Sequence, residues 1–334
     1  MTTKSTFKLT SAAIAATFFV AACGGGGGGS SGSSTGAAPA TGASAPASST
    51  ATSSNVTTPQ YAAGSAELAA FTLLNQERQQ CGFPALVENT QEDLAALNHA
   101  KYMSSNGGLV TDTEVAGNTG FTGVTYANRA TAVGYPSNVY VGGVSAGYYT
   151  NATLTNTQYG QNLVYAWLSG VYHIGIASWP VTSAGVGVNQ ITFNGYPQIQ
   201  GSMIVANLQP MTTSGPLTFP CQGTTGIAYE GGGETPTPPN TSGAFGTPVS
   251  VTGNPSDTIV LTSGTMTPAS GPVITLNVLN SASDPNKLLP AFEGVAYPTS
   301  PLSPNTTYTV SINGTYNGTA FSRNFTFTTG NVVG

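Results

Sequence analysis

The chain has 334 residues, and only 6% of them are charged, with a formal balance of -5. So few charges exclude a basic nucleic-acid-binding face and leave surface polarity to the abundant Gly, Ser, Thr, Ala and Asn. With 39% hydrophobic residues the chain can bury a core, and its length suits two domains.

Lys4 and Lys8 stand ahead of an apolar stretch near Ala12 to Val20, which ends in small residues at Ala21-Ala22. That order describes a secretion signal, too short to stay as a spanning helix. The run Val20-Ala21-Ala22-Cys23 resembles the lipobox of bacterial lipoproteins. The resemblance implies removal of residues 1–22 and acylation of Cys23, which then anchors the protein in the cell envelope at about 0.8 kcal/mol per buried methylene. Gly24 after that cysteine implies, by the same resemblance, sorting to the outer membrane. Loss of Lys4 and Lys8 leaves five basic residues against twelve acidic ones. Residues 23–64 are expected to form a disordered tether, since Gly24 to Gly64 carries no charged side chain and little apolar surface. A flexible coil of that length spans about 35 Å.

With Cys23 acylated, Cys81 and Cys221 remain, and the simplest assignment in an oxidising compartment pairs them. The alternative is two buried free thiols. No further cysteine is left for a metal cluster.

A first domain is expected over residues 65–229. Ser65 caps a helix whose Leu68, Phe71 and Leu74 share a face and which closes at Cys81-Gly82. Thr90 caps a second, with Asp93 at the reciprocal position and Leu94, Leu97, Ala100 and Met103 at helical spacing. A short helix near Thr125 to Val133 stops at Gly134, and a fourth near Gln158 to Ser169 sets Leu163, Val164, Trp167 and Leu168 on one side. Ala184 to Val188, Ile191 to Phe193 and Met203 to Val205 have strand chemistry, which gives an α+β class. Residues 230–242, rich in Gly, Pro and Thr, form a second linker. Over 243–334 Ile274, Leu276 and Val278 alternate with polar residues, as do Tyr308, Val310 and Ile312, and Asn313-Gly314 and Asn317-Gly318 supply hairpin turns. An all-β sandwich is expected there.

Gly143-Val144-Ser145-Ala146-Gly147 fits the Gly-x-Ser-x-Gly pattern of a nucleophile elbow. Tyr148-Tyr149-Thr150-Asn151 does not begin a helix, and no acidic residue lies between Glu114 and Glu230, so the match is expected to be fortuitous.

A wider set of pieces occurs in order: Leu74-Asn75-Gln76-Glu77-Arg78 with Gly82 and Leu86, the helix Ala95 to Met103, Gly120-Phe121-Thr122-Gly123-Val124-Thr125 with Arg129 and Gly134-Tyr135, then Trp167, His173 and Ala184 to Val188. Together they resemble the CAP superfamily, in its bacterial SCP-like branch, over roughly Ser65 to Gln222. The resemblance implies an α-β-α sandwich with a cleft in which two histidines and a glutamate hold a divalent cation or a polar ligand. His173 stands where the second histidine belongs. Leu109-Val110-Thr111-Asp112 replaces the stretch expected to give the first, and Val141 occupies the expected glutamate's place. No tight metal site and no cofactor are therefore expected. Asp112 and Glu114 are the carboxylates that could approach His173, whereas His99 lies inside the second helix as a helix-surface or packing residue. Leu302-Ser303-Pro304-Asn305-Thr306-Thr307-Tyr308 resembles the Leu-x-Pro-x-Thr-x-Tyr pattern of fibronectin type III and other Ig-like domains.

The expectation is a lipid-anchored envelope protein with a degenerate CAP domain that binds or scaffolds without catalysis. Its partners would be the membrane at Cys23 and a lipid or an envelope protein, with no nucleic acid. The alternatives are a hydrolase or apolar-ligand binder using Ser145, His173, Asp112 and Glu114, and an adhesin using the β-module.

Overall fold

A computed structural model describes residues 54–213 and 215–334; the expected secretion signal, Cys23 and most of the expected tether lie outside them. The first part runs β1 (Asn55–Val56), α1 (Ala66–Gln80), β2 (Val87–Asn89), α2 (Thr90–Ser105), α3 (Tyr126–Ala132), β3 (Val141–Tyr149), α4 (Asn156–Ser169), α5 (Gly175–Ser178), β4 (Val181–Phe193) and β5 (Tyr196–Leu208). Ser65 caps α1 as expected, its hydroxyl accepting from the Leu68 N–H at 3.1 Å. The cap of α2 is Asn89, whose side-chain oxygen accepts from the Gln91 and Glu92 N–H groups. The expected cap at Thr90 is one residue late because Asn89 ends β2 in extended backbone, which points its short amide at the helix start. Asp93, free of a capping box, accepts instead from the Tyr61 hydroxyl and the Val186 N–H.

Five strands form one sheet in the order β1-β2-β4-β5-β3. The short strand runs expected between Ala184 and Val205 are parts of one long hairpin, β4 to β5, turned at Asn194-Gly195 where both residues have positive φ. Helix α2 lies directly on β4. A side chain at Gly185 or Gly187 would strike the α2 backbone at Glu92–Asp93 or Ala96–Leu97, so only glycine permits that approach. β3 closes the far end of the sheet and has β5 as its one strand neighbour.

The expected tether reaches residue 64, yet residues 54–60 are ordered. Val56 pairs with Glu88 across β1 and β2, the Ser54 hydroxyl donates to Gln91, and the Gln60 N–H donates to Glu88, so polar pairing orders a stretch with little apolar surface.

The second part runs β6 (Leu217–Phe219), β7 (Thr225–Ile227), β8 (Val249–Thr252), β9 (Ile259–Pro268), β10 (Ile274–Thr275), β11 (Asn277–Asn280), β12 (Glu293–Tyr297), β13 (Thr307–Tyr316) and β14 (Thr319–Thr329). They build two sheets, β10-β9-β13-β14-β7 and β11-β12-β8-β6. The alternation Ile274, Leu276, Val278 does not make one strand, since β10 and β11 join different sheets on either side of Leu276. Asn317-Gly318 makes the β13–β14 turn, while Asn313-Gly314 sits inside β13 at a bulge against β9. The Tyr308 hydroxyl accepts from the Ser303 N–H at 2.8 Å, tying the strand start to the preceding loop.

Residues 230–242 do not behave as a free linker. Gly231 and Phe245 exchange backbone hydrogen bonds at 2.8 Å, and Glu234 is buried. β6 and β7, placed by the sequence in the first domain, pair with β8 and β14 of the second. One hydrophobic core contains Phe71, Leu74 and Trp167 together with Phe219, Phe245 and Tyr297, and the described residues belong to a single compact unit. A second core lies between the C-terminal sheets around Val251, Val310 and Phe327. Cys81 and Cys221 form a disulfide across 140 positions, joining the end of α1 to the segment between β6 and β7.

Candidate functional site

The Gly143 to Gly147 segment runs through the middle of β3, with Ser145 opposite Ser202 on β5. A flat strand presents no strand-to-helix turn, so Ser145 is not an elbow nucleophile. Successive side-chain positions point to opposite faces. At Gly143 the missing side chain faces Tyr126, and at Gly142 it faces Trp179. Ser145 shares the Tyr126 face.

Tyr126 is placed by the start of α3, where Thr125 and Asn128 form a capping box. The Arg129 guanidinium sits 4.2 Å from the centre of the Tyr126 ring and donates to the Gly123, Val124 and Asp112 carbonyls. The Tyr126 hydroxyl donates to Asp112 Oδ1 at 2.6 Å. Its single hydrogen is thereby used, and it accepts from the Ser145 hydroxyl at 2.7 Å. The other Asp112 oxygen, Oδ2, lies 3.2 Å from His173 Nε2. Burial alone would favour a neutral imidazole, but the hydrogen bond and charge of Asp112, joined by Glu234, outweigh it and lift His173 to about 9. Burial would raise the Asp112 carboxyl, yet His173 and Tyr126 hold it below the usual value. Burial, reinforced by Asp112, pushes the Tyr126 phenol well above its ordinary range.

Glu234 reaches the same place from the segment after β7. Its carboxyl accepts from the Val171 and Tyr172 N–H groups at 2.8 and 2.7 Å, in the turn that carries His173. Burial raises its pKa, opposed by His173 and by those two amides. These groups line a cleft of about 940 Å³ that also touches Trp179, Tyr148 and Phe245. It runs around the end of the sheet at β3, between the Asp112 loop, α4 and the segments at 232–236 and 331–334.

Of the sequence candidates, Ser145, Asp112 and His173 therefore meet through Tyr126. Glu114 does not join them. Its Oε1 lies 2.9 Å from His99 Nδ1, its other oxygen accepts from the Thr122 N–H at 2.6 Å, and both side chains are fully out of solvent. His99 Nε2 faces the Thr111 carbonyl at 2.7 Å. Burial and Arg129 lower the His99 pKa, with Glu114 and Thr111 opposing. Loop 109–124 folds back so that Glu114 points into α2 while Asp112, two positions earlier, points out into the cleft.

Tyr126 and Glu234 are functional candidates that sequence reasoning passed over. A second carboxylate four positions after Glu230, in an otherwise uncharged Gly/Pro segment, is the signal that marks Glu234. Tyr126 carries no such mark, being one of 15 tyrosines. The donors beside His173 are two carboxylates, with Nε2 already engaged by Asp112, and among the described residues no group of three His, Cys, Asp or Glu could hold a metal ion. The residues present do not fit a tight divalent site.

Residues 71–204 match the family model of CAP, the cysteine-rich secretory protein family. The matched segment holds Ser145, Asp112, Tyr126 and His173, while Glu234 and the 331–334 wall of the cleft come from outside it. Among curated proteins none matches the chain.

Proposed function

We propose that the chain is a non-catalytic binding module that takes a small, largely uncharged ligand in the cleft beside His173. The observation that carries this reading is the hydrogen-bond order Ser145 to Tyr126 to Asp112 to His173. A serine nucleophile needs a neutral base at its hydroxyl. Ser145 instead donates to a phenol held protonated, and His173, raised to about 9, carries its proton at neutral pH. The groups are arranged to hold charge and shape, and the aromatic and glycine lining supplies apolar contact. The same reading sets the module on the cell envelope through acylated Cys23, with an α-β-α layering for the CAP segment and an Ig-like layering for the C-terminal sheets.

The second reading is a weak hydrolase acting through Ser145, and the one observation on its side is that Ser145, Asp112 and His173 gather around Tyr126 in the cleft. One set of assays separates the two. The neutral fluorophore N-phenyl-1-naphthylamine is expected to bind the full chain saturably and to lose binding in Ala166→Trp, which fills the cleft from α4. Hydrolysis of p-nitrophenyl butyrate is expected at background in wild type and in Ser145→Ala alike. Absence of saturable binding, or an esterase rate that Ser145→Ala abolishes, overturns the binding reading.

A further inference from the structure

The register of β3 fixes where its backbone points. The Tyr140 carbonyl accepts from the Asn207 N–H, and the Thr150 N–H donates to the Pro197 carbonyl. In an antiparallel pair such residues turn both polar groups toward the partner strand, and their neighbours turn both away. Gly142, Val144, Ala146 and Tyr148 therefore face β5, while Gly143, Ser145 and Gly147 direct their N–H and C=O groups outward. Among the described residues none of those outward groups has a hydrogen-bond partner. They stand in a row spaced at about 6.8 Å, two residues apart.

This row lies in the cleft. Gly142, Gly143, Ser145, Ala146 and Gly147 all line it, residues of both faces in succession, so the cleft meets the strand on its edge. The opposite wall already holds extended chain by its backbone: the Tyr229 N–H donates to the Val332 carbonyl, the Gly334 N–H to the Glu230 carbonyl, and Val333 bridges Glu230 in parallel.

We infer that the ligand is an extended, uncharged peptide that adds as a strand to the outer edge of β3. This deepens the binding reading above and rests on it. A purely apolar occupant would cover the outward N–H and C=O groups of Gly143, Ser145 and Gly147 without satisfying them, which is costly in a water-excluded cleft. A peptide strand satisfies them in its own ladder. The small residues of β3 leave room for a backbone, and the alternate side chains of the ligand meet the Tyr126 side and the Trp179 side. An uncharged ligand fits because the charged groups of the cleft are already engaged: Asp112 by His173 and the Tyr126 hydroxyl, and Glu234 by the Val171 and Tyr172 amides.

The test uses a capped octapeptide of alternating threonine and valine, and the same peptide N-methylated at every second residue to remove one edge of donors. With the full chain, saturable binding is expected together with slower hydrogen exchange at the Gly143, Ser145 and Gly147 amides. N-methylation on the ladder side should weaken binding at least about tenfold. Binding that ignores N-methylation of either edge, or unchanged exchange at those amides, overturns the inference. Protection of the same amides without peptide, rising with protein concentration alongside a dimer in sedimentation, assigns the edge to a second copy and also overturns it. If N-phenyl-1-naphthylamine binds and the peptide does not, the peptide inference fails while the binding module stands; if neither binds, both fail.

Discussion

Asp112 Oδ2 and His173 Nε2 lie 3.2 Å apart across 61 positions of sequence, and the pair sets the charge of the cleft. His173 is raised above the ordinary 6.5 to about 9, so its share of stability is complete below 6.5 and is lost as pH rises through about 9. Asp112 titrates below its ordinary 3.8, so its share is present above 3.8 and is lost as pH falls through the folded value. Asp112→Asn removes the partner and leaves burial to act. The His173 titration, followed by the imidazole proton in NMR, is expected to fall by about 2 pH units or more. An unchanged titration would mean that Glu234 alone holds the proton.

Glu114 anchors the loop that delivers Asp112. It meets His99 at 2.9 Å and Arg129 at 3.9 Å, all three side chains out of solvent, and accepts from the Thr122 and Gly123 amides. Glu114→Ala leaves those donors and a buried guanidinium uncompensated, for an expected loss of about 3–5 kcal/mol in urea unfolding. Glu114→Gln keeps the shape and is expected to cost less. A loss under 1 kcal/mol for the alanine variant would show that the loop is held elsewhere.

Glu293 on β12 is buried and accepts from Trp179 Nε1 at 2.7 Å and from the Ser250 hydroxyl at 2.8 Å, joining the end of α5 to the C-terminal sheets. Burial raises it to about 7, with Trp179, Ser250 and Ser178 opposing. The folded chain thus binds this proton more tightly than the unfolded one, and stability falls as pH rises from about 4.5 to about 7. Comparing unfolding of wild type with Glu293→Gln across that window isolates the contribution, expected at up to about 3 kcal/mol. Parallel pH curves for the two proteins would contradict the assignment.

The Cys81–Cys221 bridge closes a loop of 140 positions. Removing both thiols as alanines frees the unfolded chain and is expected to destabilise by up to about 5 kcal/mol. The measured quantity is the difference in denaturation midpoint between oxidised wild type and the double variant. A midpoint shift near zero would place the stability of the α1 end in packing alone.

The envelope anchor has a direct assay in cells. Labelled palmitate is expected to enter the wild-type chain and not Cys23→Ala, which should leave the membrane fraction. Equal labelling of both rejects acylation at Cys23.

Local signals carried much of this fold. The Ser65 cap, the short helix near Thr125 to Val133 and the Leu163 to Leu168 face were written in adjacent residues, and the structure has helices there. The disulfide followed from counting cysteines. What escaped was long-range. No local pattern tells that Leu217–Phe219 pairs with Val249–Thr252, or that Glu234 turns inward to two amides 62 and 63 positions away. The site divided the same way. His173 was a candidate because it stands where the resemblance places the second histidine, and Asp112 and Glu114 as the carboxylates that could approach it, whereas the choice of Asp112 over Glu114 rested on which way one loop turns, a matter settled by the Arg129 and His99 contacts.

The placement of β6 beside β8 and β7 beside β14 bears on how the two halves are inherited and handled. A gene cut at the Pro-rich stretch around 235–239 would leave Phe219 without cover and two short strands with raw edges, the kind of surface that drives chains to precipitate. Grafting another β-module onto the helix-containing first part would require carrying Leu217 to Ile227 along with the graft. Natural shuffling of the two halves is constrained in the same way: they prosper or fail as one inheritance.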